Sequence, residues 1–134
     1  MSGAFQDLRV WQQSMTLDEL MYSFTKRFPK DELFGIVSQM RRAAVSIASN
    51  IAEGKGHKSD KEFLHFLYHA RGSLYELETQ LMLSKQLEYL SEEQFREAME
   101  SIATVARSLT GLVNSLSTRH SEVDSPSAID HRQN

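Results

Sequence analysis

Four segments of this chain repeat apolar residues at steps of three, four or seven, the spacing that lines side chains along one side of an α-helix. Strands would need alternation at every second residue, and no segment shows it. Only two prolines and six glycines interrupt 134 residues, which also favours long helices. The pattern predicts helices over 8–28, 31–53, 59–87 and 91–118, the second with the apolar positions Leu33, Val37, Met40, Ala44, Ile47 and Ile51.

The ends of these helices carry recognisable signals. Pro29 ends the first helix, because the residue before a proline is disfavoured in helical geometry. Gly54 is expected at the C-terminal end of the second helix. Ser59 and Ser91 begin capping boxes, since each is followed three residues later by Glu62 or Gln94.

The connections between the predicted helices are short, about 29–30, 55–58 and 88–90. Short connections force neighbouring helices to run antiparallel. The predicted fold is therefore all-α, an antiparallel up-down-up-down four-helix bundle over residues 1–119. The segment 120–134 has no periodic apolar pattern and contains Ser125-Pro126-Ser127, so it is predicted to be a disordered tail.

Composition excludes several classes of protein. The net charge of −3, from 15 basic and 18 acidic residues, argues against a strongly basic DNA-binding domain. Without cysteine the chain has no disulfides, thiolate metal sites or cysteine nucleophiles. No stretch approaches about 18 consecutive apolar residues, and no signal peptide is visible at the N-terminus, so a cytoplasmic protein without membrane contact is expected.

Charge is unevenly divided along the chain. Residues 1–58 carry 8 basic and 6 acidic residues, whereas residues 59–134 carry 7 basic and 12 acidic residues. The first part therefore has a balance of +2 and the second a balance of −5. An asymmetry of this size indicates that parts of the chain attract one another.

The outer face of the second helix is unusual for a solvent-exposed surface, because most of its residues are small or neutral. Its flanks, which include Ile36, Ala43, Val45, Ala48 and Ala52, are also apolar. We interpret this face as a subunit interface; alternatively, the second helix is buried deeply within a single chain. The predicted interface residues of this helix are Gly35, Gln39, Arg42, Ser46, Ser49 and Glu53.

The third helix carries a second apolar stripe beside its core positions. Leu64, Tyr68, Tyr75 and Met82 form this stripe, and tyrosine and methionine are common in protein contacts. Tyr68 and Tyr75 are therefore included in the predicted interface. A wider core is the alternative explanation.

Two motifs could bind a ligand. His65 and His69 are four residues apart and within reach of one metal ion, but no third ligand has a suitable spacing, and a solvated pair is the simpler interpretation. Lys55, His57, Lys58 and Lys61 surround the predicted start of the third helix, where backbone amides favour anions. A phosphate could bind there, although ordinary solvated lysines explain the pattern more simply.

No constellation indicates an enzyme. A carboxylate di-metal centre needs glutamates on the inner faces of the helices, and the predicted core positions are apolar. No motif points to a set of serine, histidine and aspartate. We therefore predict a non-enzymatic protein with no catalytic residues, metal, cofactor or small-molecule substrate.

Three stretches resemble one family: Phe5-Gln-Asp-Leu-Arg-Val-Trp11, Gln39-Met-Arg-Arg-Ala-Ala-Val-Ser-Ile-Ala-Ser-Asn-Ile-Ala-Glu-Gly54, and Lys61-Glu-Phe through Gly72-Ser-Leu-Tyr-Glu-Leu-Glu-Thr-Gln80. They are similar to the four-helix-bundle proteins encoded within bacterial 23S rRNA intervening sequences, over about 5–116. The resemblance implies a homopentamer, a barrel with a central channel and no catalytic residues. Its signature positions in the second helix are Arg41, Arg42, Ser46, Asn50 and Glu53, so Asn50 joins the predicted interface.

That family is in turn similar to the accessory variability proteins of diversity-generating retroelements, which form pentameric barrels, bind nucleic acid and act with a reverse transcriptase. Two functions are therefore expected. The first is a homo-oligomeric, pentameric scaffold or RNA-associated module. The alternative is an accessory protein that binds RNA or DNA and works with a reverse transcriptase or a structured RNA, with phosphates held by Arg41, Arg42, Lys55 and Lys58.

Overall fold

The computed structural model describes the backbone of residues 4–124 and the side chains of residues 4–119. The described chain contains four α-helices and no strand, which confirms the predicted fold class. A 3₁₀ turn, Phe5–Asp7, comes before the first helix. The helices are α1 (Arg9–Thr25), α2 (Ser38–Lys55), α3 (Asp60–Gln86) and α4 (Glu92–Asp124).

Contacts between neighbouring helices show the antiparallel order. Along α2 and α3, the Ser46 Oγ lies 2.9 Å from the Ser73 Oγ, and the Ser84 hydroxyl donates to the Met40 Sδ at 3.5 Å. Residue numbers therefore rise along α2 as they fall along α3. Each helix packs against two neighbours, in the cyclic order α1, α2, α3, α4.

The α1–α2 and α3–α4 connections meet at one end of the bundle. The rings of Phe28 and Tyr89 lie 5.3 Å apart, and the Tyr89 hydroxyl donates to a carboxylate oxygen of Glu32 at 2.7 Å. This hydrogen bond raises the pKa of Tyr89. The two connections are thus joined by a polar contact as well as by ring packing.

The second predicted helix is interrupted before α2. A 3₁₀ turn, Lys30–Glu32, leads into a π-helical turn, Leu33–Val37, with non-helical backbone angles at Gly35. The other carboxylate oxygen of Glu32 accepts from the backbone N–H of Ile36 at 3.5 Å, and a Cβ at Gly35 would lie 2.7 Å from that oxygen. The prediction of one continuous helix over 31–53 is wrong here, because glycine permits the kink and the Glu32 side chain caps the π-helical turn.

The predicted core is largely confirmed. On α3 the apolar pattern of the sequence predicts six core positions, and all six are buried: Phe63, Leu67, Ala70, Leu74, Leu77 and Leu81. Leu33 is the exception in the second segment; it is 47% exposed because it lies before the kink. On α4 the pattern predicts Phe95, Met99, Ile102, Ala106, Leu109, Val113 and Leu116. It misses Ala98 and Val105, which are fully buried, whereas Phe95, Met99 and Ala106 are half-buried.

Several buried side chains are polar. The hydroxyls of Ser14 and Ser84 donate to backbone carbonyls four residues earlier in their own helices, which removes most of the cost of burying them. Asp18, on α1, is different, because its Oδ1 is buried without a hydrogen-bond partner. Burial raises the pKa of the Asp18 carboxyl from 3.8 to about 7.

The two predicted capping boxes are found at the starts of α3 and α4. However, α1 ends at Thr25, three residues before its predicted end at 28, and Gly54 does not end α2. The Ser91 hydroxyl accepts from the Gln94 N–H at 3.1 Å, and the Gln94 side chain accepts from the Ser91 N–H at 3.0 Å, a reciprocal capping box. The Ser59 hydroxyl accepts from the Glu62 N–H at 3.1 Å. Gly54 does not terminate α2; it is buried in the last turn, against α3, and α2 continues to Lys55.

α4 is longer than predicted. Its backbone is helical to Asp124, so residues 120–124, predicted to be part of a disordered tail, continue the helix. Pro126 is the first helix-breaking residue in this part of the sequence, which accounts for the extension. The remainder of the predicted tail, 125–134, lies outside the described residues.

No helix in the described part of the chain is long and apolar enough to cross a membrane.

Candidate functional site

An open groove on the outside of the α1–α2 pair brings together apolar and positively charged side chains. We call it the cationic groove; its volume is about 520 Å³. Tyr22 and Val45 are exposed by 40% and 42%, and Met15 lies seven residues before Tyr22 with 41% exposure. Residues at seven-residue spacing lie on the same side of a helix. The lining residues are Tyr22, Ser38, Arg41, Arg42, Val45 and Ser46.

Arg41 is held in place by contacts across the α1–α2 pair. Its Nε donates to the Thr25 hydroxyl oxygen at 3.0 Å, and its guanidinium lies 4.6 Å from the centre of the Tyr22 ring. The Thr25 hydroxyl in turn donates to the Met21 carbonyl at 2.7 Å. These contacts orient a guanidinium group without neutralising its charge.

Positive charge continues from the cationic groove to the nearby end of the bundle. A second hollow, of about 390 Å³, is lined partly by Lys26, Lys30 and Arg41. Arg42 follows Arg41 in the cationic groove and donates to the neutral Ser38 hydroxyl at 3.4 Å; it also lines a smaller hollow, of about 200 Å³, that contains Glu76 of α3. Lys26 and Lys30 were not predicted, since lysines on neighbouring elements carry no spacing signal that would place them together.

The structure does not bring the four predicted phosphate-binding residues together. Arg41 and Arg42 lie near the start of α2, whereas Lys55 ends it, a separation of roughly 20 Å along the helix axis. Lys58 lies in the connection between α2 and α3. They form two separate pairs, of which only the arginines lie in a groove.

The α2–α3 connection has a mixed electrostatic character. Glu62 lies 2.6 Å from the His57 Nδ1, and Arg119 makes two hydrogen bonds to Asp60, at 2.6 and 2.7 Å. Because Asp60 and Glu62 occupy the first turn of α3, carboxylates already lie at the end where backbone amides would attract an anion. The arginines therefore provide the better candidate for binding phosphate.

The predicted interface residues occupy two different surfaces. On α2, Gln39, Arg42, Ser49 and Glu53 are exposed, and Ser46 and Asn50 are half-buried; Gly35 is half-buried in the π-helical turn before α2. The Asn50 side chain donates to the Ser46 carbonyl and hydroxyl at 2.8 and 3.0 Å. On α3, Tyr68 and Tyr75 are exposed. They lie about 200° around the helix from Ser73, which contacts α2, so they are on the side of α3 that faces away from α2.

Most of the apolar flank of α2 is buried inside the single chain. Ile36, Ala43 and Ala48 are covered by neighbouring helices, and only Val45 among the flank residues is clearly exposed. The inference that these positions require a second subunit is wrong for the three buried residues. Each helix of a four-helix bundle contacts two others, so its buried arc is wider than one stripe. Leu64 on α3 is likewise buried.

His65 and His69 lie close together on α3. Their Nε2 atoms are 3.3 Å apart, and both side chains are exposed. Within the described residues, no group of three histidine, cysteine or acidic side chains could hold a metal ion. The pair accordingly offers two ligands of the four that a structural zinc site requires.

A second open groove lies between α1 and α4 and was not predicted. We call it the acidic groove; its volume is about 500 Å³. Its charged residues, Glu19, Glu97 and Glu100, are all negative, and the carboxylates are exposed. The other lining residues are Thr16, Leu20, Ser23, Ser101 and Thr104.

The fold and these surfaces define a small all-α four-helix-bundle protein whose candidate site is an open surface groove. Residues 6–111 match the family model described as 23S rRNA-intervening sequence protein. The chain belongs to this family, as its sequence motifs predicted.

A search of solved structures gives a similar protein of unknown function, from the S23 ribosomal protein family of Bacteroides thetaiotaomicron. The two are 22% identical with a TM-score of 0.71, and the match covers 78% of this chain and 95% of the other. At this identity the likeness shows the fold. The comparison with curated proteins gives no match.

Proposed function

We propose that this chain is a non-enzymatic subunit of a homo-oligomer, the pentamer that its family resemblance implies, serving as a scaffold or RNA-associated module in the cytoplasm. The observation that carries the proposal is the cationic groove. Methionine, tyrosine and arginine are enriched in the cores of protein interfaces, and here Met15, Tyr22, Arg41 and Arg42 lie along one surface beside Val45.

Self-association predicts a particle several times heavier than one chain of 15.3 kDa. In sedimentation velocity at micromolar concentration, we expect a pentamer to sediment as one species of about five times that mass. Val45→Glu is expected to shift the protein to smaller species, because it places a charge among apolar contacts that the single chain leaves exposed.

Leu83→Glu is the matched control. Leu83 is 45% exposed, close to the 42% of Val45, but it lies on α3, away from the cationic groove. We expect this variant to assemble as the wild type does. A wild-type protein that sediments as a monomer across the concentration range would contradict the proposed function.

The second candidate function is that of a nucleic-acid-binding accessory protein, working with a reverse transcriptase or a structured RNA. It is favoured by the positive charge shared between Lys26, Lys30, Arg41 and Arg42 at one end of the bundle. Arginine and lysine bind phosphates with little sequence preference. Lys55 and Lys58 would form a separate contact at the other end of α2.

Fluorescence anisotropy with a structured RNA tests this alternative. If Arg41 and Arg42 contact phosphates, the affinity for RNA falls as the salt concentration rises. Arg42→Gln then lowers the affinity, and it reduces the slope of the salt dependence by the amount that corresponds to about one lost phosphate contact. The control Arg96→Gln removes an exposed charge on α4 and should leave binding unchanged. Absence of binding at low salt would exclude the alternative.

A further inference from the structure

We propose that the cationic groove of one subunit receives the acidic groove of a second copy of this chain, so that neighbouring subunits associate head to tail. This inference rests on the proposed homo-oligomer and identifies the two surfaces that would meet.

The two grooves have complementary charge. The cationic groove contains Arg41 and Arg42 with no acidic lining residue, and the acidic groove contains three glutamates with no basic one. No ion pair within the described chain engages Arg42, Glu97 or Glu100. Charges left without an opposite partner in one chain are available to a partner whose surface has the opposite sign.

The uneven charge of the sequence persists in the folded subunit. The ion pairs Lys85–Glu92 and Arg119–Asp60 both lie within the second, acidic half of the chain. Over the residues whose side chains the structure describes, 4–58 carry a balance of +2 and 59–119 a balance of −3, from 6 basic and 9 acidic residues, and these pairs leave both balances unchanged. The positive and negative parts of the chain can therefore attract each other between two copies. Such an attraction also orients the subunits before they make contact.

The two grooves overlap in height on the bundle, and the acidic groove extends about two turns further along α1, to Thr16. Tyr22 lines the cationic groove and Ser23, the next residue of α1, lines the acidic groove. Subunits paired through surfaces that overlap in height can be related by rotation with little translation along the bundle. Such head-to-tail contacts close into a ring, whereas a translation would produce an open filament.

The directions of the two grooves also suit a ring. The α1–α2 and α1–α4 surfaces are adjacent faces that share α1, and adjacent faces of a four-helix bundle are about 90° apart. A closed ring of four requires about 90° between its two contacts, and a ring of five requires about 108°. Opposite faces, about 180° apart, would extend the assembly without closing it.

Apolar side chains complete the contact. Val45 and Tyr22 in the cationic groove are exposed, and Leu20 lies half-buried in the acidic groove. The hydroxyls that line both grooves can satisfy charged groups as water is displaced. Tyr68 and Tyr75, on α3, lie outside this contact and would remain on the surface of the ring.

Charge reversal tests the pairing on the full chain by sedimentation velocity. Arg41→Glu with Arg42→Glu, or Glu97→Lys with Glu100→Lys, is expected to weaken assembly about tenfold or more, because like charges would face each other. Combining all four substitutions restores opposite charges across the contact and should restore assembly. The control, Arg9→Glu with Lys61→Glu, makes the same change in net charge as the first pair, at exposed positions outside both grooves, and should assemble as the wild type does.

A double variant that assembles as the wild type does would overturn the pairing while the homo-oligomer stands; a monomeric wild type would overturn both. Circular dichroism melts establish that each variant folds.

A salt series on the wild-type protein provides the second measurement and requires no variant. Raising salt from about 0.1 to 1 M shortens the screening length from about 10 to 3 Å and is expected to dissociate the oligomer; an oligomer indifferent to salt overturns the pairing.

Discussion

Gly54→Ala is expected to destabilise the folded chain by about 2 kcal/mol, although alanine normally favours a helix over glycine. A Cβ at position 54 would lie 2.7 Å from the Phe66 Cβ and 2.9 Å from a Phe63 ring carbon. The Phe66 Cβ is fixed to the backbone of α3 and cannot rotate away, so α2 and α3 must separate. Thermal unfolding at fixed protein concentration should show a melting temperature lower by about 5–10 °C.

Gly72→Ala provides the matched control within the neighbouring helix. Gly72 is exposed in α3, and a Cβ there would meet nothing within 4 Å. The same substitution should therefore stabilise the protein, by about 0.5–1 kcal/mol, through the lower chain entropy of unfolded alanine. Equal effects at both positions would contradict the close approach of α2 and α3 at Gly54.

The second large effect concerns Asp18 and depends on pH. Its carboxyl has a pKa of about 7 in the folded chain, against 3.8 for an unperturbed aspartate. Between these values the folded state keeps a proton that the unfolded state has lost, so stability falls as pH rises through this range and levels off above pH 7. Asp18→Asn removes the titration, so it should stabilise the protein at pH 8 but have little effect near pH 4.

At pH 8, Asp18→Asn is expected to raise the free energy of unfolding by about 2 kcal/mol. This is roughly half of the free energy that the full pKa difference represents, because solvent screening reduces the cost of the buried charge. Urea unfolding at pH 4, 6 and 8 measures it. Asp31→Asn removes a carboxyl group at an exposed position and should leave the free energy of unfolding nearly unchanged. A gain that does not vary with pH would show that Asp18 is not buried as a neutral acid.

The candidate site could be predicted in part. The motif in α2 identified Arg41 and Arg42, and the structure places both in one groove. The same motif gave no sign of Tyr22 on α1, since a contact between helices depends on their relative rotation. Sequence spacing also grouped Lys55 and Lys58 with the arginines, although α2 holds the pairs at opposite ends.

The acidic groove could not be predicted for the same reason. Glu19 and Glu97 are far apart in sequence, and each alone resembles an ordinary solvated residue of a helix surface. Only the packing of α1 against α4 places them around one groove. Pairings of this kind carry no periodic signal.

The sequence alone determined the all-α class, the four helices, most of their buried positions and the helix cap at Ser91, because each depends on residues within a few turns of one helix. Tertiary packing decided the close approach at Gly54 and the burial of Asp18. It also decided which charges share a groove. These features depend on distances between helices, which a one-dimensional pattern of apolar residues does not specify.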